Sequence, residues 1–434
     1  MSECKEKILL KIIFPLAEKL VGTCATKWLK RIQQMNSWKR EDIEQWQIER
    51  LRAFINHAYS HTIYYRNLFD SLNLKPDNIN SIEDLRILPT VNKNIIKEHF
   101  NEFIPDNLSE FKYRKSKTGG TTGEPMCYYC DEETWGYVTA AKIYYWKKNG
   151  YHYGDAFAAL GSASLFPEKK NRVRIIYDKM RNEHGLNGMN MSDDICQEYV
   201  KYIIKHNIHF IYGYASSIFL FAKYIILHKS DDLDIKAVFS TSEKLTPEYR
   251  KCISDAFRCK VIDCYGAKDA GITAFEVDPG KYEVGYNVIA EVDGINSTLL
   301  TTNFLNYSFP LIRYEFGDEA VFGQSMDYNG QILLEIIGRS SDVIHLANGR
   351  NVTGPGFTIL MKPYDVIAYD IRQTGPSEIT LRMQVNPILF SQDQEKAIIS
   401  KTKRMIGIET KLVIEYVEHF EPLKNGKRRY FMNC

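Results

Sequence analysis

The chain has almost no net charge: 56 Lys and Arg stand against 54 Asp and Glu, a formal balance of +2. That leaves no electrostatic footprint for nucleic acid. Long apolar runs are also missing. Ile8 to Val21 comes nearest, but Lys11, Pro15, Glu18 and Lys19 interrupt it, so it is too short and too charged to cross a bilayer. No cleavage-site pattern follows it. It predicts an amphipathic helix packed on the body, with peripheral contact to a membrane surface as the alternative. Repeats and low-complexity tracts are absent. The nine cysteines are odd in number and scattered, which points to a reducing cytoplasm rather than a disulfide scaffold. Cys127 and Cys130 share C-x-x-C spacing but have no second pair for a zinc ribbon, and they do not stand at a helix N-terminus as a redox pair would. They are expected, with Cys252, Cys259 and Cys264, to be buried small hydrophobes. Aromatics, by contrast, are plentiful, with 28 Tyr and 22 Phe. No basic-aromatic repeat accompanies them, so they read as core and pocket wall rather than as stacking platforms.

At 434 residues the chain can hold a large core and more than one domain. From residue 130 to 265, strand and helix patterns alternate as in a parallel sheet with crossover helices. Strands are predicted at Ala156 to Gly161, Ile208 to Tyr212, Ile235 to Phe239 and Lys260 to Cys264. Helices are predicted at Asp194 to His206, Ser216 to His228 and from Thr246-Pro247-Glu248, with threonine as N-cap and proline in the first turn. Ligands in open α/β sheets sit beyond the carboxyl ends of strands. Ser240 to Glu243 and Tyr265 to Asp269 follow strands and belong on that edge. Between Glu283 and Leu334, shorter β segments with turns such as Asp293-Gly294 and Asn329-Gly330 suggest an antiparallel, barrel-like part. Beyond Gly338 the pattern is a small α+β unit, with strands at Glu378 to Val385 and Lys411 to Val417 around a helix from Gln392 to Met405.

The chemistry centres on Lys117-Thr118-Gly119-Gly120-Thr121-Thr122-Gly123-Glu124-Pro125. Glycines let backbone N–H groups converge on an anion, and threonine hydroxyls add donors, so the loop suits phosphate. The alternative is a flexible surface turn. A Walker loop is excluded, because that motif opens directly into a helix. Here Met126 to Cys130 reads as a strand, and helix signals begin only near Asp131.

This loop resembles the T-[SG]-G-[ST]-T-G-x-P signature of the adenylate-forming enzymes, the superfamily of acyl-CoA synthetases, peptide adenylation domains and luciferases. Further motifs follow in the family's order. Tyr265-Gly266-Ala267-Lys268-Asp269 is similar to Y-G-x-[ST]-E, Phe316-Gly317-Asp318 to x-G-D, Gly338-Arg339-Ser340-Ser341-Asp342 to G-R-x-D-D, and Gly426-Lys427-Arg428 to the G-K-x-[RV] of a mobile catalytic lysine. Within the superfamily the chain most resembles the phenylacetate-CoA ligase and CapK branch, whose CapK members are associated with capsular polysaccharide synthesis. The segment from Trp46 to Arg66, Leu88-Pro89-Thr90-Val91-Asn92-Lys93 and Ile211-Tyr212-Gly213-Tyr214-Ala215-Ser216-Ser217 carry that resemblance, the last with alanine in place of the branch's proline.

The resemblance implies an α/β fold with a large adenylation domain over residues 1–338 and a mobile lid over 339–434. It also assigns roles. Thr118, Gly119, Gly120, Thr121, Thr122 and Gly123 would cradle the β- and γ-phosphates of ATP. Asp269 would hold Mg²⁺. Tyr265 and Gly266 would lie at the adenine, lined by Ser242 and Glu243, while Asp318, backed by Arg339, would bind the ribose hydroxyls. Lys268 replaces the family's Ser or Thr at the α-phosphate, and Ser341 replaces its hinge aspartate. Lys427 would be the catalytic lysine, with a solvated basic tail around Lys424, Arg428 and Arg429 as the bland alternative. Tyr137, Tyr212, Gly213, Tyr214, Ala215 and Ser216 would line the carboxylate pocket. The implied reaction joins a carboxylate to AMP and passes the acyl group to an amine, a sugar-linked group or coenzyme A. A catalytically impaired nucleotide-binding protein is the reading from a different class, prompted by Lys268 and Ser341.

Overall fold

The computed structural model describes residues 6, 8–118, 126–161, 172–188, 191–230, 232–293, 298–323, 328, 330–336, 343–346, 351–353, 357, 360–361, 363–375, 377–418, 420 and 431–433. Near the amino end, Pro15 in the first turn starts a helix over Phe14–Val21. Phe14 is fully buried against Tyr153, at 4.6 Å between ring centroids. Ile12, Leu16 and Leu20 stand exposed on the other side. The helix therefore packs on the body as its pattern predicts, yet it carries apolar residues on both faces.

After a long helix over Arg40–His61, strand β1 (Val91–Asn92) is followed by the hairpin of β2 (Tyr113–Lys117) and β3 (Cys127–Asp131). Asp131 then caps the helix Glu132–Lys148, its carboxylate accepting from Thr134 N at 3.0 Å. The cap also accepts from Tyr307 N at 2.7 Å, tying the helix start to a remote loop. Burial pushes this carboxyl up to about 6, a cost that its backbone donors offset.

The parallel core comprises β4 (Phe157–Gly161), β5 (Glu183–Asn187), β6 (Phe210–Tyr214), β7 (Ala237–Thr241) and β8 (Lys260–Ala267), in spatial order β8-β7-β6-β4-β5. Strands β4 and β7 are buried at every position, as expected where helices cover both faces. One face of this sheet packs on the helix Glu132–Lys148 through Phe157, Phe210, Phe239 and Ile262. The other packs through Ile211, Val238 and Val261 on the helices Ala215–His228 and Pro247–Phe257.

Beyond β8 the sheet turns antiparallel through β9 (Ile272–Asp278) and β10 (Lys281–Val284), then β11 (Val288–Asp293), β12 (Thr298–Asn303), β13 (Tyr314–Gly323) and β14 (Ile332–Ile336). Along this path strand β13 serves two antiparallel neighbours, Tyr314 to Glu319 pairing with β12 and Ala320 to Gly323 with β14, while β1 pairs with it in parallel off the path. Among the described residues β11 and β5 remain the two ends of this path, so the part expected to be barrel-like continues the large sheet and shows no closed barrel. The turn residues Gly294 and Asn329 lie outside the described residues.

The carboxyl part holds a small hairpin, β15 (Val343–His345) and β16 (Asn351–Thr353), and a four-stranded sheet of β17 (Val366–Gly375), β18 (Glu378–Val385), β19 (Lys411–Tyr416) and β20 (Phe431–Asn433). A helix over Gln392–Ile406 joins β18 to β19. Ile371, Ile379, Leu381, Met383, Ile398 and Ile406 form a core distinct from the two that flank the large sheet. The expected elements of this unit are all present. Of the cysteines expected to be buried, only Cys264 is; Cys127, Cys130, Cys252 and Cys259 are half-buried, and all are free thiols.

Candidate active site

Strand register explains how the site is assembled. Cys264 of β8 pairs with Thr241, the last residue of β7, so Tyr265, Gly266 and Ala267 project past the parallel edge. Their partners there are Ala274, Thr273 and Ile272 of the returning strand β9. The sequence places the strand end at Cys264, but the antiparallel return supplies a ladder for three more residues. Lys268 and Asp269 then fall in the turn to β9. Gly271 closes that turn at φ +64°, where a Cβ would come within 2.0 Å of the Asn303 amide.

Asp318 reaches the same edge from β13. Between the pairs Leu300↔Glu315 and Thr298↔Glu319, the three residues Phe316, Gly317 and Asp318 face Leu299 alone. They form a bulge, with Gly317 at φ +96°, and bulges re-aim side chains. Tyr265 donates its hydroxyl to Asp318 Oδ2 at 2.8 Å. Two motifs lying 53 positions apart are thereby joined.

Asp269 is held from two directions. Tyr314 donates to Asp269 Oδ2 at 2.8 Å, and Lys93 Nζ lies 3.7 Å from the same oxygen, with both side chains mostly covered. Lys93 arrives there because β1 pairs in parallel with β13, Val91 with Tyr314 and Asn92 with Glu315. Asn92 then caps the helix Lys93–Glu98. The sequence identifies Lys93 as part of a motif but assigns it no task; its pairing with Asp269 depends on a strand contact across more than 200 residues. Tyr314 carries no local signal at all. Lys268 is exposed in the turn.

The turn after β7 places Ser242 in the left-handed region at φ 68° and sends the Glu243 side chain inward. Glu243 Oε2 accepts from Ser216 N at 2.8 Å, in the first turn of the helix Ala215–His228. Glu243 is therefore a cap for a neighbouring helix. Burial pushes its carboxyl from 4.5 up to about 7. A raised acid favours the folded state most when protonated, so this contribution is complete below pH 4.5 and is lost as the pH rises through about 7. Glu243→Gln keeps an acceptor for Ser216 N and removes the titration. Its melting temperature should gain on wild type between pH 5 and pH 8, by the equivalent of up to about 3 kcal/mol; a constant gap across that range would show that Glu243 does not titrate.

The residues assigned to the acyl pocket divide in two. Tyr137 is 2% exposed, and its hydroxyl accepts from Tyr286 N at 2.6 Å. It stands edge-on to Trp28 in the main core, so the structure places it in the packing and not on a pocket wall. Tyr214, Ala215 and Ser216 are buried, and a Cβ at Gly213 would meet Leu160 O at 2.1 Å. Tyr212 alone of this group is half-exposed. Thr118 closes the neck of the β2–β3 hairpin: its N–H donates to Met126 O at 2.9 Å, and its hydroxyl accepts from Met126 N at 3.0 Å. Gly119, Gly120, Thr121, Thr122, Gly123, Arg339 and Lys427 lie outside the described residues.

No family model matches the chain. It is 24% identical over 418 residues to Protein CapK of Staphylococcus aureus, covering 93% of this chain and 91% of that one. It is 23% identical over 416 residues to the phenylacetate-coenzyme A ligase of Pseudomonas putida, covering 88% and 92%. Among solved structures, 2-hydroxyisobutyryl-CoA ligase in the postadenylation state superimposes with a TM-score of 0.59 at 15% identity, over 93% of this chain and 92% of that one. The long reach of these matches agrees with a strand edge that gathers Tyr265, Asp269 and Asp318. The chain is thus similar along most of its length to CapK and the phenylacetate-coenzyme A ligases, and it shares the fold of 2-hydroxyisobutyryl-CoA ligase.

Proposed function

We propose that this chain is an ATP-dependent, AMP-forming carboxylate ligase. The observation that carries the reading is the hydrogen bond between Tyr265 and Asp318, made at the carboxyl edge of the sheet with Asp269 at the end of the same hairpin. A carboxylate resists attack because oxide is a poor leaving group; exchange for AMP removes that obstacle. The carboxylate oxygen attacks the α-phosphorus and pyrophosphate leaves, after which an acceptor nucleophile attacks the acyl carbon and AMP leaves.

Asp318 would accept from both ribose hydroxyls, with Tyr265 fixing its orientation. Bound Mg²⁺ would supply charge neutralisation at the phosphates. Asp269 suits it, since Mg²⁺ is commonly carried by one or two carboxylates together with substrate phosphates. Lys93 holds that carboxylate in place and adds positive charge beside it. The reading for the acceptor is an amine or sugar-linked group, supported by the full-length likeness to CapK. A thioester with coenzyme A is the second reading, favoured by the likeness to 2-hydroxyisobutyryl-CoA ligase in complex with CoA. The apolar outer stripe of Ile12, Leu16 and Leu20 supports peripheral contact with a membrane surface, and no helix among the described residues is long and apolar enough to cross one.

Mass spectrometry of products from ATP and a panel of carboxylic acids, with and without coenzyme A or amines, tests both steps. AMP and pyrophosphate are expected in a Mg²⁺-dependent reaction. Release of ADP and phosphate would move the protein to another class of ligase.

A further inference from the structure

The four-residue spacing of Ile8, Ile12, Leu16 and Leu20 sets them in one row along a helical face, and all four stand exposed. The opposite face is packed. There Phe14 meets Tyr153 and also, at 6.0 Å between ring centroids, Tyr177 of the helix Arg172–Met180. That second helix adds two more exposed aliphatics, Ile175 and Ile176. Single exposed aliphatics are ordinary on a protein surface, but six on two touching helices mark a contact surface.

The charge around this surface has one sign. Residues 8–39 contain six cationic side chains and one carboxylate, Glu18, and Glu18 is buried, accepting from Thr26 N at 2.7 Å. Lys11 and Lys19 are exposed on the same segment as the apolar row. At the end of the helix, Arg114 of β2 donates to the carbonyls of Val21 and Gly22, and Lys115 and Lys117 follow it, exposed, along the strand. The acids nearby, Glu132 and Glu133, are already paired with Lys112 and Lys27. A second copy of this chain is a poor cover, because an isologous contact sets a surface against itself and would bring lysine opposite lysine. An anionic bilayer suits both features: a helix lying in the interface buries its apolar row among acyl chains while its lysines reach the headgroups. We propose that the helix Phe14–Val21, with Ile8 and Ile12 before it and Ile175 and Ile176 beside it, seats this chain on a bilayer that contains anionic lipid. The inference rests on the reading of peripheral membrane contact, to which it adds the lipid chemistry and the second helix, and it is independent of the AMP-forming reading.

Vesicle flotation provides the test, comparing phosphatidylcholine alone with phosphatidylcholine carrying about 30% phosphatidylglycerol, at low and high salt. The proteins are wild type, Leu16→Asp/Leu20→Asp and Lys11→Gln/Lys19→Gln. Leu16 and Leu20 are 60% and 72% exposed, so their replacement leaves the core intact, and an unchanged melting temperature verifies it. Should the pair melt early, Leu20→Ser alone gives the same comparison at the more exposed position. Wild type should bind the anionic vesicles about 10-fold or more tighter than the neutral ones and be released by salt. The aspartate variant should lose binding to both. The lysine variant should weaken roughly 30-fold on anionic vesicles alone, about fivefold for each lysine near a charged surface. Equal binding of wild type to the two vesicles would leave peripheral contact standing and overturn its anionic character, and no binding to either would overturn both. An aspartate variant that floats like wild type would remove this face from the contact. Self-association that the aspartate variant abolishes, without flotation of wild type, would assign the face to a second copy and overturn the proposal.

Discussion

Lys427→Ala should lower the rate of acyl-AMP formation by about 10²–10³-fold, the usual effect of removing a donor aimed at developing negative charge. Given chemically made acyl-AMP, the same variant should transfer the acyl group within about twofold of wild type. The asymmetry follows from the order of events. Charge builds on the α-phosphate and the carboxylate while they are being joined; if residues 339–434 act as a mobile lid, as the resemblance implies, Lys427 would no longer be at the reacting atoms once the mixed anhydride exists. Rapid-quench measurement of the two half-reactions separates these steps. Equal losses in both would assign the Lys424 to Arg429 segment a structural role, and normal adenylation would remove Lys427 from the mechanism.

Asp318→Ala is expected to weaken ATP binding about 10- to 100-fold in calorimetry. Hydrogen bonds to a charged group contribute about 1.5–3 kcal/mol each, and a tenfold change corresponds to about 1.4 kcal/mol. Tyr265→Phe removes the hydroxyl that orients the carboxylate and should cost less, about 0.5–1.5 kcal/mol. With Asp318 already gone, the tyrosine hydroxyl has nothing left to position. The double variant should therefore bind ATP little worse than Asp318→Ala, a non-additivity expected of side chains in contact. Fully additive losses would show that the hydrogen bond does not connect the two residues in the bound state, and an unchanged affinity in Asp318→Ala would mark the Phe316-Gly317-Asp318 match as accidental.

What could be read in the sequence was whatever depends on neighbours along the chain. Thr246 caps its helix through Tyr249 N with Pro247 in the first turn, and β18 has the predicted bounds Glu378–Val385, because caps and alternation are local signals. Strands β6 and β7 begin two residues later than predicted, at Phe210 and Ala237; apolar residues ahead of them belong to the same buried layer, and periodicity alone cannot separate the two. Features set by remote pairing stayed hidden. The bulge at Phe316 to Asp318 exists only because β12 supplies Leu299 opposite three residues, and Lys93 meets Asp269 only because β1 lies along β13. Tyr137 shows the opposite failure. An aromatic near the motifs looks like a pocket wall, but which side of its helix faces Trp28 and Tyr286 is decided by tertiary packing.

The separate core of the carboxyl unit has a consequence for reading mutants. Ile371, Ile379, Leu381 and Met383 touch neither of the clusters that support β6 to β9. Damage to them should loosen their own four-stranded sheet and leave Tyr265, Asp269 and Asp318 in their arrangement. On the AMP-forming reading, such a variant should still take up nucleotide while turning over poorly. In a screen it would be indistinguishable from the loss of a catalytic group, although nothing that touches substrate had been changed.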